Sequence, residues 1–418
     1  LVGLVGSEMC IRDRLWPVVR SQQAVPGAGP YGSIDRQEAG PLGLLLPEGF
    51  TVRVLATSDE AVADTGHTWH PFPDGGAAFA DADGWIYVSN SESPAPGGGG
   101  VSALRFDADG GVVDAYPILE GTAFNCAGGP TPWGTWLSCE EFDWHDNPDA
   151  SAAYGSVAGQ VWETDPTGGT EARVLPALGL FQHEAAAVDP VGERLYLTED
   201  KPDGRFYRFT PDAYPDLSSG VLEVAAIEGA RARWSEVPDP SAARQPTRSQ
   251  VGESSAFDGG EGICYHDGAV YFTTKGDDRV HELRTDDDAY RIVYDSAAIG
   301  GEAPLRGVDN ITVEMGSGDL YVAEDGGSMQ VVLITPDGEV APFLRILGQD
   351  DSEITGPAFS PDGTRLYFSS QRGSDGRGIT YEVTGPFRGV EMAAAGATDT
   401  TAPGTTLEEA AGDPAGGA

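Results

Sequence analysis

Six times in this chain of 418 residues a turn-rich, polar-to-acidic segment runs into a short aromatic strand. The strands are Trp85-Ile86-Tyr87-Val88, Thr135-Trp136-Leu137, Leu195-Tyr196-Leu197, Val270-Tyr271-Phe272, Leu320-Tyr321-Val322 and Leu366-Tyr367-Phe368. Recurrence at this spacing is the signature of a repeat array, in which each unit buries its apolar face against the next. Turn chemistry leads into most of the strands, as in Asp81-Ala82-Asp83-Gly84, Asp189-Pro190-Val191-Gly192 and Ser360-Pro361-Asp362-Gly363. Gly supplies positive φ there, while Pro and Asp fit the corners. With 58 Gly and 30 Pro, the composition suits many tight turns and disfavours long helices. The fold expected is all-β, a six-bladed β-propeller with inserted loops. Phe50-Thr51-Val52-Arg53-Val54-Leu55 alternates cleanly and is placed to complete the last blade and close the ring.

The pattern sets the domain boundaries. Residues 1–39 read as an irregular segment, 40–389 as the propeller and 390–418 as a disordered tail of Ala, Gly, Thr and Pro. Within the first segment, residues 7–14 have neither strand alternation nor an apolar helical face, and they resemble translated sequencing-adapter sequence. No apolar core of a secretion signal is visible. Long inserts are expected inside the second repeat (about 142–160) and between the third and fourth (about 212–255), on one face of the propeller.

Charge excludes some partners. A net charge of −41 repels nucleic acid and anionic membrane surfaces, both of which are bound by neutralising phosphate with Lys and Arg. No run approaches the ~20 apolar residues that span a bilayer. The four cysteines show no CxxC spacing, which argues against structural zinc and leaves a Cys139–Cys264 bridge open.

A polar group recurs at one place in the repeat. Roughly 10–14 residues before each aromatic stand Asp74, Cys126, Glu184, Glu261, Asp309 and Glu353. In a propeller this is the start of the innermost strand, where side chains point to the central channel at one mouth. Carboxylates crowded together cannot all ionise without cations, and hard oxygen donors of this kind suit Ca²⁺. Cys126 adds a softer ligand, which points to a transition metal beside calcium.

The segment around Cys126 carries a family resemblance. Asn125-Cys126-Ala127-Gly128-Gly129, Thr131-Pro132-Trp133-Gly134-Thr135-Trp136 and Glu140-Glu141 resemble the PhoX family of secreted alkaline phosphatases. Further matching pieces are His183-Glu184-Ala185, Gly204-Arg205-Phe206-Tyr207, Gly260-Glu261-Gly262, Val308-Asp309-Asn310 and Ser360-Pro361-Asp362-Gly363, so that the resemblance covers about 40–389. It implies a propeller whose channel holds a cluster of Fe³⁺ and Ca²⁺ ions at which phosphate monoesters, or also diesters, are hydrolysed. It assigns Cys126 as the iron-ligating thiolate and Glu141, Glu184, Glu261 and Glu353 as bridging or calcium-ligating carboxylates. Glu140 is an alternative to Glu141, and Asp309 or Asn310 a further oxygen ligand. The family's arginine near the glutamate matched by Glu261 is missing from Phe257-Asp258-Gly259-Gly260-Glu261, which leaves Lys275, Arg306 and Arg372 as candidates for holding phosphate.

The resemblance further implies small phosphorylated substrates, no nucleic acid, no membrane insertion, a monomer, and a periplasmic or extracellular location. Two other functions suit an acid-lined propeller: a calcium-dependent lactonase or esterase, and a non-catalytic binding propeller stapled by calcium. Neither needs a thiolate in the ring.

Overall fold

A computed structural model describes residues 24–147, 158–301 and 303–390. They form six antiparallel sheets arranged as the blades of a β-propeller. The innermost strands, in blade order, are Pro73–Asp81, Asn125–Pro130, His183–Asp189, Gly260–His266, Val308–Glu314 and Ile354–Phe359. Each packs against the inner strands of the blades on either side, and the sixth returns to the first. The ring is closed by Thr51–Thr57, which pairs antiparallel with Ile379–Thr384 as the outer strand of blade six. An N-terminal strand thereby covers an edge that would otherwise stand open.

Apolar side chains form six clusters, one at each blade interface. The recurring aromatics explain this arrangement. Tyr87, Trp136, Tyr196, Phe272, Tyr321 and Tyr367 are at most 2% exposed, each standing on the second strand of its blade. Tyr87 meets Tyr367 at 4.8 Å between ring centroids, and Trp85 Nε1 donates to Tyr367 Oη at 2.7 Å across the blade one–blade six seam. Large rings fill the wedge between two sheets, and a polar tip such as the Tyr367 hydroxyl finds a partner across it.

Two expectations about organisation need correction. Part of the segment 1–39 is built into the fold: Val25–Pro26 pairs with Glu339 and Val340 of blade five, and Tyr31 packs on Phe50 and Phe343. The attachment is a two-residue bridge with an aromatic anchor, too short to show as strand alternation. Residues 212–255 are not mainly a face insert. They extend blade three outward, finishing Phe206–Ala213 and adding Asp216–Glu228 and Arg231–Glu236, a fourth and a fifth strand. Leu217 and Leu222 are buried while Asp216, Ser218 and Val221 face solvent, as on an outer strand. Residues 1–23, the adapter-like run among them, the tail 391–418 and most of the 142–160 insert lie outside the described residues. No helix among the described residues is long and apolar enough to cross a membrane.

Candidate metal centre and active site

Every inner strand breaks register with its neighbour at the same point. Between Pro73 and Gly76, Asn125 and Gly128, His183 and Ala186, Gly260 and Ile263, Val308 and Ile311, and Thr355 and Ala358, two residues face one. These are β-bulges, which re-aim a side chain at the cost of a broken ladder. The first bulged residue is Asp74, Cys126, Glu184, Glu261, Asp309 and, in blade six, Gly356. Its successor is small in the first four blades (Gly75, Ala127, Ala185, Gly262) because neighbouring inner strands touch backbone to backbone. A Cβ on Gly75 would stand 2.5 Å from Ala127 Cα, and one on Gly262 2.6 Å from Ile311 N.

Carbonyls freed by the bulges need other donors, since a buried unpaired C=O is costly. In blades one, three and four the single residue opposite the bulge supplies them to the next blade. Asn90 Nδ2 donates to Cys126 O and Ala127 O at 3.0 and 2.8 Å, and the Thr198 hydroxyl to Glu261 O at 2.5 Å. Thr273 reaches Asp309 O at 2.5 Å in the same way. On the inner strand of blade six, the Thr355 hydroxyl donates to Pro73 O of blade one at 2.7 Å. The slot is thus held by a circumferential set of latches.

A second ring surrounds the first. The residue directly after the second strand of each blade is Glu92, Glu141, Asp200, Lys275, Asp325 and Gln371. The two rings interlock as a chain of potential ligand groups: Asp74–Glu92–Cys126, Cys126–Glu141–Glu184, Glu184–Glu261–Asp309 and Asp309–Asp325–Glu353. In each group the donor atoms lie within 4.8 Å of one another. Cys126 Sγ stands 3.4 Å from Glu184 Oε1. Asn310 ties the arc to the channel wall, donating to Asp309 Oδ1 at 2.8 Å and accepting from Gly356 N at 2.7 Å. Beneath the ring the channel narrows to a cavity of about 30 Å³ lined by Gly75, Gly128, Gly262 and Asn310, among others.

Electrostatics in this cluster are one-sided. Burial, reinforced by like-charged neighbours, pushes the carboxyls of Asp74, Glu141, Glu184 and Glu261 well above the ordinary carboxylate range. Burial raises Asp309 as well, against the pull of Lys275. The Cys126 thiol is pushed up by burial and by Asp74 and Glu184. Glu353 is pushed up to about 8 by burial, Asp309 and Asp325. Without cations, this ring must hold protons.

Most of the sequence-predicted site residues come together. Cys126, Glu141, Glu184, Glu261, Asp309, Asn310 and Glu353 meet at the mouth, joined by Lys275 and Arg372. Glu353 does not hold the slot: it precedes the strand Ile354–Phe359, bridges Asp325 through its backbone, and reaches the ring from the rim. Gly356 holds the slot instead, with φ +58° and no room for a side chain, since a Cβ would stand 2.5 Å from Asp74 O. Glu140 lies outside the ligand groups, accepting from Gln160 N at 3.1 Å, because successive strand residues face opposite ways. Arg306 is exposed, its guanidinium turned to Gly300 O at 2.9 Å. Cys139 and Cys264 are free thiols, so the open disulfide pairing is not formed. Glu92, Asp200, Asp325 and Gln371 escaped the sequence reading, although each lies four or five residues past the repeat aromatic.

Fold and site together define a six-bladed propeller whose channel mouth is ringed by carboxylates and one thiol. Residues 95–289 match the sequence model of the family described as alkaline phosphatase PhoX, and the family resemblance read from the motifs holds there. Pseudomonas fluorescens PhoX, in complex with the transition-state analogue vanadate, superposes with a TM-score of 0.69 at 17% identity, over 88% of this chain and 99% of that one. A structural genomics protein from Bacteroides thetaiotaomicron matches with a TM-score of 0.51 at 11% identity, over 80% of this chain and 76% of the other. At these identities the likeness is one of fold. No curated protein matches in sequence.

Proposed function

We propose that the ringed channel mouth is the metal centre of a phosphatase that hydrolyses phosphate monoesters, with diesters as a second substrate class. The observation that carries this reading is the place of Cys126: its thiol belongs to two adjacent ligand groups at once. The residues fit a metal cluster. Glu184 Oε2 is a buried carboxylate oxygen with no hydrogen-bond donor, and such an atom is rare unless a cation or proton serves it. Sulfur beside oxygen suits iron at Cys126, and the all-oxygen groups suit calcium. Glu141 and Glu184 share a group with Cys126, as do Asp74 and Glu92.

When bound, such ions neutralise charge on the transferred oxygens and activate water as nucleophile. The chain's own residues do the rest. Arg372, 40% exposed and held at the ring with Nη1 2.5 Å from Glu353 Oε1, is the residue assigned to gripping phosphate. Asn310 closes the floor beneath the ring, and the narrow cavity there admits little more than a water or two. The protein acts on small phosphorylated substrates as a monomer, and its −41 charge keeps nucleic acid away. The resemblance to a family of secreted phosphatases supports a periplasmic or extracellular location.

The test is turnover of p-nitrophenyl phosphate by purified protein, alongside a lactone, with metals counted by mass spectrometry. Phosphatase turnover with bound iron and calcium is expected, and iron–thiolate charge transfer should colour the protein. Lactone turnover by a colourless, calcium-only protein contradicts the reading.

A further inference from the structure

The chain contains two lysines, and one of them stands inside the acid ring. Lys275 takes the second-ring position that carries a carboxylate in blades one, two, three and five. Its Nζ lies 3.0 Å from Glu261 Oε1, 3.3 Å from Asp309 Oδ2 and 3.0 Å from Asp325 Oδ2. The contact with Glu261 pairs charge without a well-directed hydrogen bond. Three carboxylates from three positions converge on this one ammonium, which is the arrangement a bound divalent ion would draw around itself, at N–O rather than metal–O distance. Two of the four ligand groups, Glu184–Glu261–Asp309 and Asp309–Asp325–Glu353, are therefore already served by a positive charge. The other two, which share Cys126, have no Lys or Arg within ion-pair distance among the described residues.

We infer that Lys275 is a tethered cation: its ammonium occupies the place between Glu261, Asp309 and Asp325 that a divalent ion would otherwise take. Bound metal is thereby directed to the Cys126 side, and the ring holds fewer ions than its ligand groups could accept. This rests on the reading that the ring binds metal, though not on the reaction catalysed there. Removing the charge leaves three crowded carboxylates that must find another cation.

The experiment is calorimetric titration of Ca²⁺ into metal-stripped protein, comparing wild type with Lys275→Met and Lys275→Arg. Lys275→Met should take up one more Ca²⁺ per chain, with a larger calcium-induced rise in Tm, while Lys275→Arg keeps the wild-type count. Equal counts and equal Tm shifts in wild type and Lys275→Met overturn the proposal. Lys275→Met that folds only with calcium upholds it, since the ion then replaces the ammonium. Asp325→Asn gives an independent check, because in wild type this carboxylate serves Lys275 and no ion. An unchanged calcium count supports the proposal, and a count lower by one overturns it. An extra ion in Lys275→Met, with no phosphatase turnover by the wild-type protein, keeps this inference and sinks the proposed reaction. Turnover with no extra ion does the reverse.

Discussion

The ring at the channel mouth has two unlike halves. On one side Glu261, Asp309 and Asp325 face the Lys275 ammonium, and Glu353 faces Arg372. On the other, Asp74, Glu92, Cys126, Glu141 and Glu184 meet amides, Asp200 and each other, with no Lys or Arg at ion-pair distance among the described residues. Gln371 Nε2 bridges Asp74 and Glu92 at 2.5 and 2.8 Å, and Gln182 Nε2 donates to Glu141 at 2.7 Å. The backbone machinery is the same on both sides, a bulge and a following loop in each blade. What differs is whether the chain supplies its own positive charge. A propeller can thus place equivalent groups by repetition and still differentiate them by one substitution per blade.

The sharpest break of the comparison is on the uncompensated side. Cys126→Ala removes the one soft donor, shared by two ligand groups, and should lower p-nitrophenyl phosphate turnover by about 100-fold or more, with iron lost and the β circular dichroism retained. Unchanged turnover removes the thiol from the mechanism.

On the compensated side, pH discriminates. Glu353 is held near 8 in the fold against 4.5 for the free side chain, chiefly by burial and then by Asp309 and Asp325. A carboxyl raised on folding stabilises the fold fully below its unfolded pKa and loses that contribution as pH rises through the folded one. Metal-free protein should therefore lose stability between about pH 4.5 and pH 8, and Glu353→Gln should flatten that slope in denaturant titrations. An identical slope in Glu353→Gln counts against this role.

Two smaller effects test the shared scaffold. Gly356→Ala forces a side chain into positive φ and against Asp74 O at 2.5 Å, and should cost about 1–3 kcal/mol by chemical denaturation. A neutral result means the slot tolerates a side chain after all. Thr198→Val deletes the latch to Glu261 O and should cost about 1–3 kcal/mol, the price of an unserved buried carbonyl. A loss well below that shows the carbonyl finds another donor.

The aromatic strands were readable because a blade interface selects large β-formers bounded by turns, and the five slot residues from Asp74 to Asp309 were readable because a buried polar group stands out there. Blade six misled the spacing. Glu353 offered the expected carboxylate, whereas the bulge falls three residues on, at a glycine that carries no chemical label. Glu92, Asp200, Asp325 and Gln371 of the second ring went unread because they lie in loops just past the strand pattern, where polar and acidic residues are common in a chain of this charge. Glu141 could not be separated from Glu140, since which of two neighbours faces the axis depends on where the strand ends. The outer strands of blade three passed for an insert because their few buried residues are scattered among exposed and half-buried ones.

The most direct test is a crystal of the metal-loaded protein measured at the iron absorption edge. The account predicts an anomalous peak at bonding distance from Cys126 Sγ and adjacent carboxylates, and no metal between Glu261, Asp309 and Asp325, where Lys275 sits. Iron remote from Cys126, or a metal ion in place of the Lys275 ammonium, would contradict it.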